Sequence, residues 1–141
     1  MVTRRAAKSK GSQLEMDACY NLKKEYLDLI RVGAEGFKYQ FDLFSESNKV
    51  FFECKRMAGF NWNELLKYYK KLEKAADKYS DEEYIPQCYL IFQGNNQPVL
   101  VFYKNDGRYC VELYNDLWNT FEKRPKKTRV KKDETTRTID N

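Results

Sequence analysis

The stretch YQFDLFSESNKVFFECKR, residues 39–56, consists of two apolar, β-forming runs joined by a polar turn, and it carries Asp42, Glu53 and Lys55 inside those runs. The pattern predicts strands over 37–44 and 49–56, closed into an antiparallel hairpin by the turn at 45–48. Alternation puts Phe37, Tyr39, Phe41 and Leu43 on one side of the first strand and Lys38, Gln40 and Asp42 on the other. In the second strand Glu53 and Lys55 share a face, while Val50, Phe52 and Cys54 take the opposite one. A turn centred on Ser47 and Asn48 sets Asp42 directly opposite Glu53. A turn one residue earlier makes them diagonal neighbours, with Cβ atoms about 5 to 8 Å apart. Either register lets the two carboxylates share a cation. Close buried acids repel one another, and a divalent ion with hard oxygen ligands makes their joint ionisation favourable.

The flanking periodicities supply the scaffold. Leu14, Ala18, Leu22, Tyr26, Leu29 and Ile30 recur at helical spacing and predict a helix over 12–32, stopped by GAEG at 33–36. After the hairpin, NWNELLKYYKKLEKAADKY, 61–79, reads as a second amphipathic helix. It gathers Trp62, Leu65, Leu66, Tyr69, Leu72, Ala76 and Tyr79 on one face and lysines on the rest, and SDEEYIP ends it. QCYLIFQ, PVLVFYK and RYCVEL are three more strands, separated by GNNQ and NDG turns, and YNDLWNTFEK is a short final helix. The order α-β-β-α-β-β-β-α implies an α/β (mixed α+β) domain, a central mixed five-stranded sheet flanked by helices. No internal repeat is visible.

Length and composition bound the function. At 141 residues the chain is one domain's worth, with one site expected. Its apolar runs are interrupted by Gln93, Gly94, Asn95 and Asn96, far short of a bilayer span, and the basic start MVTRRAAKSK leads into no apolar core. The expectation is a soluble intracellular protein with no membrane partner. Four scattered cysteines without a C-x-x-C pair read as free thiols. There is no histidine, which excludes Ser-His-Asp and Cys-His hydrolases, histidine-dependent nucleases and His-ligated metal sites. Carboxylates, lysines and tyrosines must carry any chemistry.

The formal charge of +5 is unevenly distributed. Residues 11–122 hold 14 Lys and Arg against 18 Asp and Glu, a net of −4, so the positive excess lies in a basic N-terminal arm, 1–10, and a basic tail, 123–141. Such runs repel themselves and stay disordered unless a polyanion neutralises them, and nucleic acid is the obvious polyanion. Arg4, Arg5, Lys8 and Lys10 in the arm, Lys123, Arg124, Lys126 and Lys127 in the tail, and Arg56 beside the hairpin acids are the candidate DNA contacts. The alternative for the tail is a solubilising or addressing role.

Asp42 at the end of one strand, followed by Glu53-Cys54-Lys55 in its partner, resembles the PD-(D/E)XK nuclease superfamily, and the resemblance covers about 10–103. KGSQLEMDACYNLKK, with Glu15 in its helix, is similar to archaeal and viral-type Holliday junction resolvases, as is the spacing of Glu15, Asp42, Glu53 and Lys55. The chain departs from that family in having GFKYQFD where an Arg and a Ser usually precede the strand acid. The resemblance implies a restriction-endonuclease-like fold over 11–122, a homodimer, and Mg²⁺- or Mn²⁺-dependent hydrolysis of DNA, most specifically of four-way junctions. It also implies roles: Asp42, Glu53 and the Cys54 carbonyl as metal ligands, Glu15 as a further or water-mediated ligand, and Lys55 as the group that orients or deprotonates the attacking water. Other readings stay open: another nuclease of the superfamily, restriction-like or nicking in repair or phage DNA metabolism, or a non-catalytic nucleic-acid-binding protein that uses the basic tails. Ser12-x-x-Glu15 also spells a capping box. Asp42 could cap a turn, and Glu53 with Lys55 could form a solvated cross-strand pair.

Overall fold

The chain, seen in a computed structural model that describes residues 4–32, 41–79, 83 and 85–125, places one six-stranded sheet between helices. The elements run α1 (Arg4–Leu22), β1 (Ile30–Arg31), β2 (Leu43–Ser45), β3 (Val50–Arg56), α2 (Trp62–Ala76), β4 (Gln87–Gln93), β5 (Leu100–Asn105), β6 (Arg108–Leu113) and α3 (Tyr114–Leu117). The strands lie side by side in chain order. Every neighbouring pair is antiparallel except β3 and β4, which run parallel with α2 as the crossover between them. The mixed architecture matches the expectation, but there are six strands, not five.

The extra strand comes from the segment read as the end of the first helix. α1 stops at Leu22, and Ile30 and Arg31 pair with Phe44 and Leu43. Asp28 enforces this course: its carboxylate accepts from Ser45 Oγ at 2.6 Å and from the Ser47 N–H at 2.8 Å. Tyr26 and Leu29 keep a helical spacing because the turns after α1 still aim them inward, Leu29 being buried and Tyr26 packing on Phe52. The other end of α1 also moves. It begins at Arg4, so Ser12 lies inside the helix and no capping box forms at Ser12 and Glu15. RRAAKSK, rich in good helix formers, is a helical extension where a separate arm was expected.

The hairpin follows the first of the two expected registers. Leu43 faces Phe52 and Ser45 faces Val50, so the turn is centred between Ser47 and Asn48. β2 is short, and of the expected strand 37–44 residues 37–40 lie outside the described residues, as does the expected GAEG stop.

Alternation on β3 sorts the two layers. Phe52 meets Tyr26 and Trp118 on the α1 side, and Phe51 meets Tyr79, in the 3-10 turn that follows α2, on the other. α2 is capped by Asn61, whose side chain accepts the Glu64 N–H at 2.8 Å, and buries Leu65, Tyr69, Leu72, Ala75 and Ala76. Between the layers lie Phe51, Phe52, Leu90, Ile91, Phe92, Val101 and Phe102, each almost wholly buried. The β5–β6 hairpin turns through Asp106 and Gly107 at φ of 53° and 78°, the two positive values a two-residue turn of this twist needs. The last helix is one turn long, shorter than YNDLWNTFEK suggests, because the following chain folds back along α1. Asn21 donates to the Glu122 carbonyl at 2.7 Å and accepts the Glu122 N–H at 3.1 Å. Among the described residues no helix is long and apolar enough to cross a membrane.

Candidate functional site

The pairing of β2 with β3 ends at Leu43 and Phe52, and Asp42 lies just where β2 gives out. The Asp42 N–H bonds the Phe52 carbonyl at 2.9 Å, which shows that Phe52 turns its main-chain polar groups toward β2. Cys54, two residues on, turns its own the same way, and its N–H is taken at 2.8 Å by the carboxylate of Asp42. The acid therefore stands in the plane of the sheet, in the place of a main-chain acceptor. Glu53 reaches it from the α2 side and Glu15, on α1, from the other, and both carboxyls come within hydrogen-bonding range of Asp42.

These acids line a cleft of about 330 Å³ with Gly11, Ser12, Lys55 and Arg56. Lys55 Nζ lies 3.6 Å from Glu53 Oε2 and 4.8 Å from the centre of the Tyr68 ring. Two contacts thus fix the ammonium, one to a carboxylate and one to the negative face of an aromatic ring. Arg56, at the edge of the cleft, donates to Gln93 Oε1 at 3.0 Å and Asn95 Oδ1 at 2.9 Å.

The electrostatics of the cleft are those of crowded acids. Burial, with the neighbouring Asp42 charge next, pushes Glu53 up to about 8 in spite of Lys55. Burial also raises Asp42, against the pull of the Cys54 N–H. Glu15 is raised by burial and then by Asp42, while Arg31, whose Nε donates to Glu15 Oε2, opposes the shift. Alone, Glu53 holds a proton at neutral pH that a divalent cation would displace, and Asp42 and Glu15 are shifted the same way. Among the described residues no three His, Cys, Asp or Glu side chains are already gathered round one ion position. Glu15 divides itself between Asp42 and Arg31, so Asp42 and Glu53 are the paired donors. Two carboxylates beside a main-chain carbonyl suit Mg²⁺ or Mn²⁺, ions that fill their remaining positions with water and phosphate oxygens.

Of the expected site residues, Glu15, Asp42, Glu53, Cys54 and Lys55 come together. Of the expected DNA contacts, Arg56, Lys123 and Arg124 are the ones whose side chains are described, and each has different surroundings. Arg56 is at the cleft, Lys123 is exposed, and Arg124 is bonded to Asp17 on α1. Arg4, Arg5, Lys8 and Lys10 ride on the first turns of α1, their side chains outside the described set, and Lys126 and Lys127 lie outside the described residues. Sequence reasoning missed Arg31, because 12–32 reads as continuous helix, and gave Tyr68 no place beside Lys55. The cation spaced three residues beyond Asp28 gives no local signal of a partner on α1. The chain matches no protein-family model, no curated protein and no solved structure.

Proposed function

We propose that the chain is a metal-dependent DNA endonuclease of restriction-endonuclease-like fold, acting on branched DNA as a junction-resolving enzyme. The observation that carries this reading is the gathering of Asp42 and Glu53, with Lys55 two residues further along β3 on the same face as Glu53, in a cleft that Glu15 enters from α1. The surrounding order supports it: a three-strand antiparallel meander, a crossover helix and a parallel fourth strand, preceded by a helix that contributes an acid.

Asp42, Glu53 and the Cys54 carbonyl would hold Mg²⁺ or Mn²⁺. When bound, the ion polarises the scissile phosphate and lowers the pKa of a coordinated water. Asp42 is pre-positioned by the Cys54 N–H and needs no rearrangement to serve as ligand. Lys55 orients the attacking water and offsets charge developing on the phosphorus oxygens, a task for a compact ammonium that can aim its three donors. Glu15 adds a water-mediated or direct ligand, and Arg31 neutralises it while no ion is present. The products are 5′-phosphate and 3′-hydroxyl ends. One cleft per chain suits a homodimer in which two copies cut symmetry-related strands.

Incubation with Mg²⁺ and a labelled four-way junction beside a linear duplex of the same sequence tests the reading. Paired nicks in the junction, abolished by chelation, are expected. Absence of cleavage of either substrate in Mg²⁺ or Mn²⁺ overturns it.

A further inference from the structure

Arg31 links two concavities. Its Nε is bonded to Glu15, which lines the acidic cleft, and the same arginine lines an open groove of about 600 Å³ along α1. Met16 and Tyr20 give that groove apolar walls, and Lys23, Lys24, Arg31 and Arg124 place four cations around them. Lys24 Nζ lies 4.8 Å over the Tyr20 ring and 3.6 Å from Glu122. Arg124 is fixed to Asp17, while Lys23, at the end of α1, is exposed. The returning chain at 122–124, tied to α1 through Asn21 and Asp17, forms one bank.

We infer that this groove receives an unpaired DNA strand leaving the cleft, with a base on Tyr20 and its phosphates on Lys23 and Arg31. The inference rests on the nuclease reading and names the form of its substrate. A duplex presents its phosphates outward and keeps its bases stacked, so it has use for the cations and none for an apolar wall between them. A single strand uses both, because every base has a π-face and aromatic stacking tolerates any sequence. The volume is that of a pocket for a group of nucleotide size. Continuity through Arg31 places the scissile phosphate and the stacked nucleotide on one path, so branched DNA with a free arm is the preferred substrate.

Binding without divalent cation separates this from catalysis. Fluorescence anisotropy on the whole protein would compare a blunt duplex with the same duplex bearing a single-stranded arm, in both polarities. Wild type should bind one armed duplex about tenfold more tightly than the blunt one, the effect of one stacked base. Tyr20→Ala with Lys23→Ala, two changes at the protein surface, should erase the preference, and Tyr20→Phe should keep it. Equal binding of all probes by wild type, or a preference that survives the double substitution, overturns the groove. A protein that cuts DNA without this preference refutes the groove alone, and one that shows the preference yet cuts nothing with Mg²⁺ refutes the nuclease reading alone.

Discussion

Asp42 Oδ2 accepts the main-chain N–H of Cys54 at 2.8 Å, so a side chain completes the sheet edge where β2 ends. The carboxylate is held in place by the backbone and independently of any ion. Asp42→Asn can keep this bond through its amide oxygen while losing the charge. It should therefore fold and bind DNA as the wild type does but lose Mg²⁺-dependent cleavage by about a hundredfold or more. Glu53→Gln should behave likewise. Parallel measurements of melting temperature, DNA binding and cleavage check this, and full cleavage by either variant counts against the assignment.

The raised carboxyls make stability depend on pH in a direction that can be stated. Glu53 titrates near 4.5 in the unfolded chain and at about 8 in the folded one, so between those values the folded protein holds a proton that the unfolded chain has released. Stability is then greatest below the lower value and falls as pH rises through the upper one. Asp42 and Glu15 are shifted in the same direction. Calorimetry of metal-free protein should show a melting temperature falling by several degrees from about pH 5 to about pH 8, with Mg²⁺ restoring it at the high end and doing little at the low. Glu53→Gln should flatten the curve.

Lys55 sits between Glu53 and the Tyr68 ring, so its removal leaves the acids in place. Lys55→Ala should lose turnover by about a hundredfold while still binding Mn²⁺, as titration calorimetry can measure. Retained wild-type turnover would make the Glu-x-Lys spacing an accident.

Much of this site was legible because strand alternation is strict. Asp42, Glu53 and Lys55 follow from a two-residue period and one turn position, and the turn proved to centre on Ser47 and Asn48. Glu15 was legible only by resemblance, since nothing local on a helix says which strand it will meet. The helix ends were not legible for a physical reason. Tyr26 and Leu29 are inward-facing in a turn as they would be in a helix, so apolar spacing could not distinguish the two, and the deciding contacts of Asp28 with Ser45 and Ser47 are long-range. Arg31 was lost with them.

The C-terminal segment divides at Arg124. Asn21 holds Glu122 by two bonds, and Asp17 holds Arg124, so the chain to that point belongs to the fold. Truncation after Arg124 should leave the melting temperature unchanged while lowering DNA affinity and the slope of its salt dependence, by about one counterion for each phosphate that the tail neutralises. Truncation before Glu122 should also destabilise. An unchanged salt slope in the shorter deletion would make the basic tail a solubiliser only.

Glu15 offers the sharpest test of what kind of site this is. A capping role would make Glu15→Gln harmless, because glutamine serves equally well at that position of a capping box. The structure removes that explanation, since α1 begins at Arg4 and Ser12 is interior to it. Two roles remain distinguishable: a partner for Arg31 at the surface, or a group in the shell of a bound cation. Glu15 is partly buried, and its attraction to Arg31 is offset by its desolvation and by the Asp42 charge beside it, so the amide should leave the melting temperature within a degree or two. If the carboxylate bonds the ion or a water on it, the same near-isosteric change should reduce cleavage by about a hundredfold and weaken Mg²⁺ dependence. Arg31→Ala separates the roles further. It frees Glu15 for the cation, so Mg²⁺ should bind at least as tightly as in the wild type while affinity for DNA declines. A Glu15→Gln protein that cuts junctions at the normal rate would confine Glu15 to its pairing with Arg31.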